Sequence, residues 1–325
     1  MNRFFSIRKV MRSVIGRRCG SSLKDRDFYT VYDTPQQLRT TVTGNKFDYS
    51  VDLTLARPGD AIDSPYEITV NSSFRDFWQS ACYSYDRICT STPFTRSIGL
   101  RDQVLPFHLM LFLTSSMSHA DRAKMQVGFT NAVYHWPAFP GDTFSKRFVV
   151  QSLRSTSDMK NSIVDIRCEL RNQRDVLTFS CDKTMMFPFS VPPSVVEAHF
   201  VPERVNPNAF LDFLVDKAKQ LQEQGSQSMS PVRPGDLILH TLSRPVTVPH
   251  LMQLATLGRL THDRHFNTHK YSESELLVPG GIVLGLTCSL SSRDLHEVTC
   301  IMYSSIRLII LIAPKLLFVN TEIPF

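Results

Sequence analysis

The densest group of chemically useful side chains lies between residues 262 and 269. It contains His262, Asp263, His265 and His269, so three histidines and one carboxylate fall within eight residues. Histidine exchanges protons near neutral pH, and a well-positioned imidazole accelerates proton transfer by about 10²–10⁴-fold. The cluster therefore indicates an acid/base site. Two other interpretations stay open: a solvated polar turn after a helix, and a metal site, for which HxxHxxxH spacing is a weak signal.

A helix start that could stabilise an oxyanion follows this cluster. Pro279, Gly280 and Gly281 precede an apolar run at residues 282–290. The first backbone N–H groups of a helix have no partner inside the helix and carry partial positive charge. Two glycines would let a carbonyl oxygen approach these amides closely. A PGG sequence alone predicts only a turn, but beside the histidine cluster it becomes a candidate for polarising a thioester carbonyl.

The elements that must position these residues occur in two similar halves. In the first half we predict a helix beginning at Ser72, a Ser/Thr/Pro loop at 90–93 and a helix buried on all sides at 104–117. Three strand-like runs joined by short polar turns come next, which predicts an antiparallel sheet. These runs lie at residues 144–152, 162–170 and 176–186, after a looser one at 126–135.

The second half repeats this order after a proline-rich linker. A strand is predicted at 236–246, a helix at 248–259, then the histidine loop and the apolar helix at 282–290. The two halves therefore look like degenerate copies of one unit, each with an antiparallel sheet wrapped round a central helix. This is an α+β architecture.

Two segments carry a family resemblance. His265-Phe266-Asn267, followed by Val278-Pro279-Gly280-Gly281 and a buried helix, resembles the hydratase motif of MaoC-like enzymes, which are hotdog-fold enoyl-CoA hydratases and dehydratases. The sequence STPFTRSIGL at residues 91–100 is similar to a segment of mesaconyl-CoA hydratase-like proteins, which are double hotdogs. The PGDT turn at 140–143 is common to hotdog proteins in general. The resemblance extends from about residue 65 to about residue 298.

The resemblance implies roles for individual residues. His265 matches the catalytic histidine, and Gly280 and Gly281 match the glycines whose amides hold the thioester oxygen. The second catalytic group of the motif, an Asp or Asn, falls on Leu260, which cannot transfer a proton. His262 and Asp263 are the candidates to replace it.

The implied fold is a double hotdog whose second unit is incomplete at the C-terminus, because residues 299–325 supply only two strand-like runs, at 306–312 and 316–319. We predict a leader at residues 1–24, an N-terminal hotdog at 25–188, a linker at 189–235 and a C-terminal MaoC-like hotdog at 236–325.

The implied activity is hydration or dehydration of a 2-enoyl-CoA or another enoyl-thioester, with a mesaconyl-CoA-like substrate as one candidate. CoA would enter as part of the substrate, and neither a further cofactor nor a metal is expected. The alternatives are a non-catalytic acyl-CoA-binding hotdog protein and a hotdog thioesterase. A homodimer is compatible with either function.

The positive charge of the chain is concentrated at its beginning. Residues 1–24 contain seven Lys and Arg and no acid, so the rest of the chain has a net charge of −1 against +6 for the whole. An Arg-rich, acid-free, amphipathic N-terminus is typical of a mitochondrial transit peptide, which predicts a matrix protein; the alternative is a disordered basic tail. The near-neutral remainder argues against nucleic-acid binding. The seven cysteines include no CxxC pair, which favours buried, reduced thiols. No apolar run is long enough for a membrane span.

Overall fold

The computed structural model describes residues 27–30, 41–44, 56–116, 122–189, 209–225, 241, 246–295 and 302–307. The chain divides into two compact units, Met1–Leu53 and Thr54–Phe325. In the first unit, strands β1 (Asp27–Thr30) and β2 (Thr41–Gly44) form an antiparallel hairpin. The predicted leader, the run at 316–319 and most of the predicted strand at 236–246 lie outside the described residues.

The second unit is built on a six-stranded antiparallel sheet with the order β3-β5-β6-β7-β4-β8. Alternate residues of β5, among them Phe144, Phe148 and Val150, are buried, as the period of a strand with one covered face requires. The sheet predicted from the sequence is thereby confirmed. Its strands are β3 (Ala61–Thr69), β4 (Met125–Tyr134), β5 (Thr143–Ser155), β6 (Ser162–Asn172), β7 (Leu177–Phe187) and β8 (Met302–Arg307).

Strand β8 comes from the C-terminal part of the chain but pairs with an edge strand of the first half. Its residue Ile306 lies opposite Phe129 of β4. The second half thus extends the sheet of the first half by one antiparallel strand. Within the described residues, β8 is the strand that follows the histidine loop and the apolar helix.

Helix α4 (Phe107–Leu113) is the central helix of the first half, and all seven of its residues are buried. It begins later than predicted because Pro106 has no N–H and takes the extended N-cap position. The sheet covers the helix: the rings of Phe107 and Phe179 meet edge to face with centroids 5.2 Å apart. The expectation of a helix buried on all sides is confirmed.

Two buried lysines face the C-terminal end of α4. Nζ of Lys183 donates to Oγ of Ser115 at 2.8 Å, and Nζ of Lys146 donates to the carbonyl oxygen of Ser116. Ammonium groups are favourable at a helix C-terminus, where carbonyl oxygens lack partners. Burial lowers the pKa of Lys183.

The central helix of the second half, α8 (Gly280–Leu295), packs tightly against the first half through glycines. A Cβ atom on Gly281 would lie 2.8 Å from the Cα of Phe112, and one on Gly285 would lie 2.8 Å from Sγ of Cys82. Both distances are shorter than real side chains allow, so this approach of α8 to α4 and to helix α1 (Ser72–Cys82) depends on glycine.

The remaining helices differ from the prediction mainly in the Ser/Thr/Pro segment. Instead of a loop, it forms two short helices, α2 (Arg87–Thr90) and α3 (Thr92–Ser97). Side-chain caps explain this difference, because Asp86 accepts from the N–H of Ile88 and Ser91 accepts from that of Phe94. Three further helices are α5 (Ala209–Asp216), α6 (Ala218–Glu223) and α7 (Val248–Leu257).

The cysteines in the described ranges form no disulfide and are buried, as predicted. None of the helices in those ranges is both long and apolar enough to span a bilayer.

Candidate functional site

The histidine loop lies between α7 and α8 and is anchored at both ends. After α7, Arg259 takes a left-handed conformation with φ 51°, and the N–H of Leu260 donates to the carbonyl oxygen of Ala255 at 2.9 Å. A Cβ on Gly258 would collide with the ring of Phe112. The end of α7 therefore rests directly on the central helix of the first half.

A single 3-10 turn, Asp263–His265, carries the candidate catalytic residues. His262 is its N-cap, and Nδ1 of this side chain accepts from the N–H of Arg264 at 3.2 Å. The N–H of His265 donates to the carbonyl oxygen of His262 at 3.1 Å. The turn brings the two imidazoles together, with ring centroids 5.6 Å apart.

The orientation of His265 is set by the segment that leads into α8. Its Nδ1 lies 2.8 Å from the carbonyl oxygen of Leu277. Because a carbonyl can only accept, Nδ1 carries the hydrogen and Nε2 of the neutral ring keeps its lone pair. The N–H of Leu277 in turn donates to the carbonyl oxygen of Arg264 at 2.8 Å, which clamps the turn to this segment.

The environment of His265 keeps its imidazole neutral. Burial, helped by the nearby His262, lowers the pKa of His265 to about 4, although the bond to Leu277 acts in the opposite direction. Near pH 7 the ring is therefore a base with an available lone pair on Nε2.

His262 uses both ring nitrogens in structural hydrogen bonds. Besides the cap bond on Nδ1, its Nε2–H donates to the carbonyl oxygen of Ala123 at 2.7 Å. Ala123 precedes β4 and belongs to the first half of the chain. A neutral tautomer with hydrogen on Nε2 satisfies both bonds, so this side chain ties the histidine loop to the first half.

Asp263 points its carboxylate to a lysine of the same loop. Oδ2 of Asp263 is 2.9 Å from Nζ of Lys270, and the Asp263 side chain is 42% exposed. Its main-chain oxygen accepts from the N–H of Asn267 at 2.8 Å. In the structure, the carboxylate of Asp263 therefore takes part in a half-exposed ion pair with Lys270. A catalytic role for Asp263 stays a prediction.

Gly280 and Gly281 form the first turn of α8, which follows the segment bonded to His265. The N–H groups of Ile282 and Val283 donate to the carbonyl oxygen of Pro279, so the glycine amides precede the first bonds within the helix. Gly280 is three residues from Leu277, so their Cα atoms are at most about 11 Å apart. The structure gives Gly281 a packing role against Phe112, and oxyanion binding by the two amides stays a prediction.

Comparisons with known proteins identify the fold. No protein-family model matches the chain. The mesaconyl-CoA hydratase of Cereibacter sphaeroides is 23% identical over 256 residues, which cover 76% of this chain and 74% of the hydratase. A solved structure from Chloroflexus aurantiacus, described as a MaoC domain protein dehydratase, is 21% identical with a TM-score of 0.70, covering 84% of this chain and 82% of the other.

A second solved structure decides the architecture. A Mycobacterium tuberculosis protein described as a double hotdog superposes with a TM-score of 0.62 and 17% identity, covering 75% of this chain and 78% of the other. The chain has a double-hotdog fold. Both the α+β double-hotdog prediction and the resemblance to MaoC-like proteins are thereby confirmed.

Position 260 differs most in chemistry from the MaoC-like motif, because Leu260 stands where the motif has an Asp or Asn. Its side chain is 7% exposed and so belongs to the core. An apolar side chain at this position can neither transfer a proton nor orient water.

Sequence reasoning missed a cavity elsewhere in the MaoC-like fold. It lies beside the start of α4 and the C-terminal part of α8, with Ser84, Cys89, His108, Cys288 and Ser292 in its wall. His108 accepts from the indole Nε1–H of Trp78 at 2.7 Å. Burial lowers the pKa of His108 to about 3. The signal in the sequence that could have indicated this cavity was His108, the single histidine in the apolar run at 104–117.

Nothing in the described ranges forms a group of three or more His, Cys, Asp or Glu arranged to hold a metal ion. In particular, the three histidines of the loop have separate partners: the oxygen of Ala123 for His262, the oxygen of Leu277 for His265, and, through its main chain, Oδ1 of Asn267 for His269.

Proposed function

We propose that the protein adds water to, or removes it from, the double bond of a 2-enoyl-CoA or a related enoyl-thioester. The observation that carries the proposal is the hydrogen bond between Nδ1 of His265 and the oxygen of Leu277, because it presents a neutral Nε2 base near the start of α8. The similarity to the Cereibacter hydratase makes mesaconyl-CoA the first substrate to try.

In the hydration direction, Nε2 of His265 takes a proton from water as the water oxygen bonds to the β-carbon. The electron pair of the double bond moves toward the thioester, and the negative charge collects on its oxygen. The amides of Gly280 and Gly281, at the positive end of α8, stabilise that charge. The imidazolium then returns the proton to the α-carbon, so one H and one OH have been added. The step needs no cofactor beyond the CoA of the substrate.

In this scheme His262 and Asp263 do not transfer the proton themselves. Both nitrogens of His262 are bonded to the main chain, and Asp263 pairs with Lys270. His265 therefore both accepts and returns the proton, as a single base can in syn addition of water.

One observation favours a second function, which is binding of an acyl-thioester without turnover. Leu260 fills the position of the second catalytic group with a buried apolar side chain. A protein that has lost one of two proton-transfer groups could keep the oxyanion site and the acyl-binding surface.

The test is the full-length protein with crotonyl-CoA and mesaconyl-CoA, following loss of the enoyl-thioester absorbance and release of free thiol. Loss of absorbance without free thiol supports hydration. Thiol release would indicate a thioesterase instead. Binding of both thioesters by calorimetry with neither signal would support the binding protein and contradict the hydratase.

We also propose that residues 1–24 direct the protein to the mitochondrial matrix, which rests on their seven positive charges and lack of acids. A fluorescent protein carrying these residues should co-localise with a matrix marker, and replacing Arg8, Arg12, Arg17 and Arg18 by Gln should disperse it. A diffuse signal from the unaltered fusion would contradict the proposal.

A further inference from the structure

A continuous chain of hydrogen bonds connects the first half of the protein to His265. The oxygen of Ala123 accepts from Nε2 of His262 at 2.7 Å, and Nδ1 of His262 accepts from the N–H of Arg264 at 3.2 Å. The oxygen of Arg264 accepts from the N–H of Leu277, and the oxygen of Leu277 accepts from Nδ1 of His265, both at 2.8 Å. Four hydrogen bonds thus connect Ala123, just before β4, to the imidazole of His265.

In this series of hydrogen bonds, His262 is the side chain that connects two distant parts of the sequence. It is 139 residues from Ala123, whereas Arg264, His265 and Leu277 lie in one loop. Because Ala123 is fixed beside β7 by the bond from the N–H of Lys124 to the oxygen of Met186, at 2.7 Å, the anchor is part of the sheet. Without the His262 side chain the loop would lose both this attachment and the cap on the N–H of Arg264.

We propose that His262 is a positioning residue that holds the base His265 in register with the first half of the fold. The proposal rests on the proposed function of His265. It assigns proton transfer to His265 alone, because each nitrogen of His262 already has a main-chain partner and neither is left to face substrate.

Three variants separate the two bonds of His262. In His262→Asn the side-chain oxygen can still cap Arg264, but the shorter side chain cannot reach Ala123. In His262→Gln the amide can donate to Ala123 but does not cap the turn. His262→Ala removes both bonds. His269→Ala is the matched control, since the His269 side chain is exposed and outside the chain of hydrogen bonds.

We expect kcat to fall by about 10- to 100-fold in His262→Ala, with KM changed much less, because a base displaced by about 1 Å loses most of its rate advantage. The Asn and Gln variants should lie between His262→Ala and the wild type. The acid limb of the pH–rate profile should persist in all three, with its midpoint moved toward higher pH because His262 helps to lower the pKa of His265. A missing limb, or three equal losses as deep as that of His265→Ala, would show direct proton transfer by His262 and overturn the proposal.

Amide hydrogen exchange tests the attachment independently of turnover. Exchange at Arg264 and Leu277 should become at least about fivefold faster in His262→Ala and stay unchanged in His269→Ala, as expected for the loss of one hydrogen bond. If the wild type shows no turnover but exchange responds in this way, the proposed function fails and the positioning role stands. Unchanged exchange and unchanged kcat in His262→Ala would refute the positioning role itself.

Discussion

The imidazole of His265 donates its Nδ1–H to the main-chain oxygen of Leu277 at 2.8 Å. This contact joins the histidine loop to the segment that leads into α8, which begins at Gly280 and Gly281. The proposed reaction depends on this hydrogen bond for the tautomer of His265 and for the direction of its Nε2.

Replacement of His265 should remove most of the hydration activity. We expect His265→Ala to lower kcat/KM by about 10²–10⁴-fold, the usual contribution of a positioned acid/base group. Steady-state kinetics with the best enoyl-CoA substrate measures the effect, and His269→Ala is the control that should behave like the wild type. Equal rates for His265→Ala and the wild type would rule out the proposed base.

The pH dependence of the rate should reflect the lowered pKa of His265. Because burial lowers that pKa to about 4, the ring stays unprotonated from neutral pH to well below 6. The value of kcat/KM should therefore hold steady down to about pH 5 and fall below that, wherever circular dichroism shows folded protein. An acid limb with a midpoint near 6.5, the ordinary histidine value, would contradict this environment for His265.

Stability should decrease as the solution becomes acidic. Burial lowers the pKa of His108 to about 3, and burial together with Arg167 lowers that of His135 to about 4. A histidine with a lower pKa in the folded state contributes its full stabilisation above about pH 6.5 and loses it as the pH falls toward the folded value. Each such group gives a slope of up to about 1.4 kcal/mol per pH unit in that window.

Urea unfolding between pH 7 and pH 4.5 measures this slope. His108→Gln keeps an acceptor for Trp78 but cannot titrate, so its slope should be smaller than that of the wild type, while His269→Ala should match the wild type. A free energy of unfolding that stays constant or rises as the pH is lowered from 7 to 4.5 would contradict the lowered pKa values of these histidines.

The glycines that pack on Phe112 should respond differently to added methyl groups. Gly258→Ala and Gly281→Ala should each destabilise the protein by about 1–3 kcal/mol through overpacking. A Cβ on Gly258 meets the tip of the Phe112 ring, whereas a Cβ on Gly281 meets the Cα and Cβ of Phe112.

Phe112→Ala should therefore relieve the penalty of Gly258→Ala but leave most of that of Gly281→Ala. Double-mutant cycles from thermal or urea unfolding measure the two couplings. Equal couplings for the two pairs would contradict the packing of α7 and α8 described above.

A carboxylate at position 260 should increase activity if the fold is catalytic. Leu260→Asp restores the group that the MaoC-like motif carries there, and we expect kcat to rise by about tenfold or more, with some loss of stability from burying a polar group. Leu260→Ala is the size control and should give no gain. If Leu260→Asp is folded, binds thioester and is no faster than the wild type, Leu260 is not the missing catalytic position.

The sequence was sufficient to predict the elements whose patterns are local. The alternation along β5 and the all-apolar α4 follow from side-chain period and composition. The histidine cluster was also found from residue type and spacing, whereas the choice of His265 within it came from the family resemblance and remains a prediction. The two short helices at 87–97 were missed because Asp86 and Ser91 act as caps in a segment that is also typical of loops.

The contacts that position the site could not be predicted in this way. The partners of His262 and His265 are main-chain oxygens of Ala123 and Leu277, and such atoms carry no sequence signature. The glycine at 281 was predicted to bind substrate, but its requirement for close packing on Phe112 appears only when two helices from opposite halves meet. Likewise, no local pattern distinguishes the pairing of Asp263 with Lys270 from a role in catalysis.

The most direct test of the central claim is to run the reaction in D₂O with an enoyl-CoA and analyse the product by mass spectrometry and NMR. The account predicts a 3-hydroxyacyl-thioester with one deuterium on the α-carbon, formed by the wild type and by His269→Ala, and lost in His265→Ala. Free CoA as the product, or the same labelled product formed equally fast by His265→Ala, would contradict it.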